Sequence, residues 1–326
     1  MSLKDYLEPS QSPAERPSFE AMTPQTTDLH TAIDARIKSR GTPYLHPEGP
    51  TVQVDLFGAR QMVDWQTRKG TCSMIGESCW SELPAVYARY ATEPGREIIK
   101  LVRQLECAKA AVITDCGMQA TAIVQDIILQ PKSHALMSRQ VYNKTKAYLN
   151  WLAQRMELEP QIVEELTPEV LEREVKPNTT LVLAETFTNP LVRALDPKAV
   201  SDTIVELREE RAPGLRMVVD NTIATPWGLR EPLLNHPGID VVISAGTKAM
   251  GGEDRDMWGY LASNRIDLMN QATDVQAMRG GILSWRSAEG ILETFPKAQS
   301  HFEKRCASAT KLAAFLENHP QVESVY

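Results

Sequence analysis

The sequence predicts an α/β fold, a mostly parallel sheet flanked by helices, on three observations. From residue 94 onward, short β-branched or apolar runs alternate with amphipathic stretches of helical period. The runs are apolar along their length rather than alternating, as strands buried on both faces are. No internal repeat or low-complexity tract interrupts the alternation, so one layered domain accounts for it.

The totals bound what this domain can do. A chain of 326 residues suits one large domain with appendages. Its net charge of −7 argues against nucleic-acid and membrane-surface partners, which reward clustered Lys and Arg. No apolar run approaches the roughly 18 residues of a membrane span, and no signal segment opens the chain, so a cytoplasmic protein is expected. Five scattered cysteines form no CxxC pair and no metal-ligand spacing, which fits free thiols in a reducing compartment and no metal.

In chain order, residues 1–28 carry four prolines and little periodicity, and "DLHTAIDARIKSR" reads as one short helix. Residues 1–70 are therefore expected to form an N-terminal extended arm. An α/β domain is expected over 71–295. Its strands are read at 109–114, 134–138, 179–186, 216–221 and 240–245. Its helices are read at "EIIKLVRQLECA", after the turn at Gly117, at "YNKTKAYLNWLAQRM" and at "DPKAVSDTIVELREER". Residues 296–326 read as a linking helix, "HFEKRCASATKLAAFLENHP", followed by "QVESVY" as a strand that begins a further domain.

In open α/β sheets, ligands bind beyond the carboxyl ends of the strands. The strand ending at Thr114 leads to Gly117 and Met118 at a helix N-terminus, where backbone N–H groups and the helix dipole favour an anion such as phosphate. The next strand ends deliver Asn189, Asp220, Thr247 and Lys248. A carboxylate closing a β-branched strand is costly to bury and calls for a cation. An anion cradle, a carboxylate and a lysine together suit pyridoxal phosphate, which needs a phosphate site, an acid facing its ring nitrogen and an amine to bond its aldehyde. Each residue alone has a plainer use as a cap, a loop amide, a structural ion pair or a solvated lysine.

These residues resemble the Cys/Met-metabolism pyridoxal-phosphate enzymes, of cystathionine γ-synthase and methionine γ-lyase type, over roughly residues 87–326. "VVDNTIATPWGLREPLLNHPGIDVVISAGTKAMGG" is similar to the family's Asp-Asn-Thr…Pro…Thr-Lys…Gly-Gly signature. "LAETFTNP", "CGMQA", "VYNKT" and "YARYATEPGREIIKLVRQLE" resemble its other segments. The resemblance implies the large domain of a fold type I transferase. It also implies elimination or replacement at the γ or β carbon of a sulfur- or oxygen-substituted amino acid. By its motifs, Lys248 would hold the cofactor and move protons, and Asp220 would pair with the ring nitrogen. Asn189 would bond the 3-hydroxyl, and Tyr142 would stack on the ring and assist proton transfer. Gly117, Met118 and Thr247 would hold the phosphate. Tyr87 and Arg89 would reach the site of a neighbouring subunit, making a homodimer or homotetramer with shared active sites.

The chain departs from the family in several places. Ala245 stands three residues before Lys248, where the family has serine; Ser244 comes one place earlier, so either the strand is bulged or the phosphate loses a hydroxyl. Glu253 and Asp254 follow the glycines in place of His-Ser. Asn143 and Lys144 replace two glycines, and "ILETFP" lacks the usual arginine and glycine. The family's small C-terminal domain, with the arginine that grips the substrate's α-carboxylate, would follow residue 326, so a truncated or naturally reduced chain is expected. Two other functions stay open at this point: a specialised homologue acting on an unusual γ-substituted amino acid, and a catalytically silent, cofactor-binding scaffold.

Overall fold

The structure, a computed structural model, describes residues 88–90, 92–251 and 253–325. The expected arm, its short helix and Tyr87 lie outside the described residues. Seven strands form one sheet: β1 (Ala110–Thr114), β2 (His134–Ser138), β3 (Glu159–Val163), β4 (Thr179–Glu185), β5 (Arg216–Asp220), β6 (Val241–Ser244) and β7 (Gly259–Ser263), in the order β1-β7-β6-β5-β4-β2-β3. Pairs β2–β3, β2–β4, β4–β5 and β5–β6 are parallel, and β7 runs antiparallel to both β1 and β6.

Local chemistry sets the helix ends. Helix α1 (Glu93–Glu106) starts at Thr92, whose hydroxyl accepts the Gly95 N–H at 3.2 Å, with Pro94 in the first turn. It stops at Cys107 in the left-handed region, φ 51°. Helices α2 (Gly117–Ile128), α3 (Asn143–Met156), α4 (Pro168–Glu174), α5 (Pro197–Glu210) and α6 (Ile266–Arg279) follow, and α7 (Trp285–Glu317) is 33 residues long. It runs unbroken through residues 295 and 296, although Pro296 lies inside it. No helix among the described residues is long and apolar enough to cross a membrane.

Alternate strand residues feed two cores. Val182, Met217, Val219 and Val242 pack with Ile98 and Val102 of α1, Ile204 of α5 and Ile291 of α7 on one face. Leu181, Leu183, Val218 and Ile243 pack with Ile123 of α2, Leu149 of α3 and Met269 of α6 on the other. Burial on both faces is why these runs read as continuously apolar.

The five strands read from the sequence are found within a residue or two of their expected limits. Two others were not read. β3 is a partly exposed edge beginning Glu-Pro, and β7 is a five-residue run that starts with glycine. The strand expected in "QVESVY" is absent over residues 321–325. No described segment offers it a ladder partner, and a strand without one leaves its peptide groups to water.

Beneath the sheet ends lies a buried carboxyl. Glu106 is fully buried; its Oε1 accepts the Tyr260 hydroxyl at 2.6 Å and the Asn221 amide at 3.5 Å, and its Oε2 has no partner. Burial pushes Glu106 from 4.5 up to about 7, against the pull of those two bonds. The folded chain therefore keeps a proton that the unfolded chain has lost, and the stability this gives is lost as pH rises through about 7. In thermal or urea unfolding, wild type should lose on the order of 2 kcal/mol from this group between about pH 5 and about pH 8. Glu106→Gln should show a correspondingly shallower decline, and equal slopes would refute the assignment.

Candidate active site

A cavity of about 790 Å³ is lined by the C-terminal ends of β4, β5 and β6, the N-terminus of α2 and one face of α7. It brings together Gly117, Met118, Tyr142, Asn189, Asp220, Thr247 and Lys248. Arg89 is elsewhere, on a small cavity of about 30 Å³ beside Thr92 and Gln276.

Sheet register builds the floor. Glu185 and Asp220 are partners across β4 and β5, and Asp220 faces Ile243 on β6. The cation expected for Asp220 is absent among the described residues. Its Oδ1 instead accepts two bonds from Thr222, N–H at 2.9 Å and Oγ1 at 2.6 Å. Thr222 Oγ1 in turn accepts the Ala245 N–H at 2.8 Å, tying the end of β5 to the chain that leads to the lysine. Burial raises the Asp220 carboxyl above its ordinary range, and the Thr222 bonds oppose that rise.

Glu185 was not singled out from the sequence, although it closes β4 as Asp220 closes β5. It is buried, its Oε1 accepts the Tyr142 N–H at 2.6 Å, and its Oε2 has no partner. Burial first, then the charge of Asp220, push it from 4.5 up to about 8, while the Tyr142 N–H and Lys146 act the other way. The floor thus holds two neighbouring carboxyls, both raised above the ordinary carboxylate range chiefly by burial. Its bond also fixes the backbone at Tyr142, the residue just before α3, whose side chain is half-exposed.

At the opposite wall Cys116 gives α2 no side-chain cap, and the Gly117 and Met118 N–H groups have no carbonyl partner. A Cβ at Gly117 would stand 2.4 Å from the Ala245 Cβ, so only glycine lets the helix end approach the lysine loop. β6 pairs in regular register with no bulge. Of the two outcomes open at this position, the methyl of Ala245 therefore faces the cradle, and a hydroxyl is lost there. Thr247 lines the cavity, but its hydroxyl donates to the Trp258 carbonyl at 3.0 Å and accepts the Trp258 N–H at 2.9 Å. That pair closes the loop carrying Lys248. Lys248 is exposed to the cavity and makes no ion pair among the described residues.

The acidic residues beyond the lysine turn toward α7. Glu253 pairs with Lys297 at 2.8 Å and Asp254 with Arg305 at 3.5 Å, and Arg255 reaches Glu293 at 3.4 Å. Helix α7 contributes Phe302, Arg305, Cys306 and Ala309 to the cavity, a wall that sequence reading missed. Their spacing of three, four and seven residues was the available signal.

Among the described residues, a lysine amine without a partner, a part-buried carboxyl without a cation and a helix N-terminus without a side-chain cap fit pyridoxal phosphate. The comparisons with known proteins agree. The Bacillus subtilis (strain 168) cystathionine gamma-lyase is 28% identical over 240 residues, covering 74% of this chain and 61% of that protein. The Pseudomonas aeruginosa O-succinylhomoserine sulfhydrylase is 30% identical over 246 residues, covering 75% and 59%. The chain thus spans about three-fifths of the length of these curated relatives. The crystal structure of metB from Corynebacterium glutamicum superposes with a TM-score of 0.66 at 26% identity, covering 76% of this chain and 64% of the other. The profile described as Cys/Met metabolism PLP-dependent enzyme matches residues 77–326, and the chain belongs to that family.

Proposed function

We propose that the cavity binds pyridoxal phosphate and serves elimination or replacement at the γ or β carbon of a sulfur- or oxygen-substituted amino acid. The observation that carries this reading is that one cavity holds Lys248 and a part-buried Asp220, neither with an ion-pair partner among the described residues. The names of the relatives, which include lyases acting on cystathionine and a sulfhydrylase, support the reaction class.

When bound, the cofactor supplies an electron sink for a carbanion at the substrate's α carbon. The chain's own residues do the rest. The Lys248 amine holds the cofactor and then takes and returns protons along the substrate. Asp220, oriented by its two bonds from Thr222, would face the ring nitrogen and favour its protonated form. Asn189 bonds the 3-hydroxyl, and the N–H groups of Gly117 and Met118 take the phosphate. Thr247 acts by closing the lysine loop onto the Trp258 backbone. Tyr142, anchored through Glu185, stacks on the ring and passes the proton of the leaving or entering group.

The active unit in this reading is a homodimer or a tetramer of dimers in the cytoplasm, with Tyr87 and Arg89 serving a neighbour's site. The position of Arg89 away from its own chain's cavity is in keeping with that role. The domain division at about residues 70 and 295 is retained as part of the proposal.

Lys248→Ala should abolish the visible absorbance band of covalently held cofactor and lower turnover by at least about a thousandfold. A variant that retains the band would overturn the assignment. Asp220→Ala should raise the cofactor dissociation constant at least about tenfold, equivalent to about 1.4 kcal/mol, in a titration of the apoprotein. Unchanged affinity would exclude the ring-nitrogen role.

A further inference from the structure

Arg305 stands out among the residues that line the cavity. Among the described residues, two of them are cationic, Lys248 and Arg305. Arg305 sits on α7 in a stripe with Phe302, Cys306 and Ala309, so its neighbours along that wall are apolar or weakly polar. Its one charged contact is Asp254, six residues past Lys248, at 3.5 Å with both side chains more than half exposed. No hydrogen bond from the Arg305 guanidinium is found among the described residues, and the Asp254 contact is an ion pair only. A planar guanidinium with free donors beside a cavity takes a carboxylate in bidentate fashion.

We propose that Arg305 is a specificity-determining residue that binds a carboxylate at the far end of the substrate's side chain. The inference rests on the proposed β or γ chemistry. Lys248 marks the end of the cavity where the α carbon reacts. The methylene and sulfur or oxygen portion of the substrate lies along Phe302, Ala309 and Met257, and the terminal carboxylate reaches Arg305. Asp254, in the segment that departs from the family, holds the guanidinium at the rim through a weak, exposed ion pair that leaves its donors available. The favoured substrates are accordingly amino acids whose side chain ends in a carboxylate. Those with neutral ends gain nothing from Arg305.

The test compares substrates that differ only at that end, with the cofactor-loaded full chain. The kcat/KM of Arg305→Ala should fall at least tenfold for O-succinylhomoserine relative to O-acetylhomoserine, with the change in KM. Arg305→Lys should recover part of the loss. Asp254→Asn, which frees the guanidinium, should leave the preference intact or strengthen it. Calorimetric binding of succinate to the loaded chain should weaken by a similar factor in Arg305→Ala, a readout independent of turnover. Equal losses for both substrates would assign Arg305 to the α-carboxylate or to a structural role. A weaker cofactor dissociation constant would assign it to the phosphate. Either result overturns the inference, as does an unchanged substrate ratio with O-acetylhomoserine still turned over. If the full chain binds no cofactor at saturation, the proposed function itself fails and this inference with it.

Discussion

Asp220 ends β5 with a part-buried carboxyl on the cavity floor and no cation beside it among the described residues, and much of the surrounding architecture answers that placement. A charged carboxylate in such a place is costly unless fixed donors replace the lost water. Thr222 supplies two donors to Asp220 and accepts a third bond from Ala245, so the stabilising contacts also orient the chain that leads to Lys248. Parallel register places Glu185 next to Asp220, and burial first, then the charge of Asp220, pushes the Glu185 carboxyl up to about 8. The same Glu185 holds the backbone at Tyr142. Asp220 thus reaches the lysine loop through the Thr222 hydrogen bonds, and its strand neighbour Glu185 holds the tyrosine backbone.

Close backbone approach imposes a second constraint. Gly117 admits Ala245, and Gly246 has no room for a Cβ because the Trp258 ring lies 2.2 Å from where it would stand. Thr247 then fastens the loop to the Trp258 backbone. Lys248 therefore emerges from a short segment held by the Gly117 and Trp258 contacts, and beyond it Glu253 and Asp254 form exposed ion pairs with α7. Their acidity serves cations on that helix, which accounts physically for the departure from the family pattern at these two positions.

Much of this was legible in the sequence because strand ends are where an α/β sheet places its chemistry. Asp220 and Lys248 were visible as charged residues at or just beyond the ends of β-branched runs, and Gly117 as a turn before a helix. What was not legible depended on contacts between distant segments. Glu185 matters because register pairs it with Asp220, and register is not written in either strand alone. β7 is short and begins with glycine, and it is recognisable only through its antiparallel partners β1 and β6. The cavity face of α7 follows from how that helix packs. The strand expected in "QVESVY" failed for the same reason, since a local pattern forms a strand only where a partner exists.

The proposed role of Asp220 is to keep the cofactor's ring nitrogen protonated. Nitrogen-15 NMR of the full chain loaded with ring-labelled pyridoxal phosphate reads this directly. The account predicts a protonated ring nitrogen at neutral pH in wild type and an unprotonated one in Asp220→Asn. An unprotonated nitrogen in the wild-type protein, or the same shift in both, would contradict it.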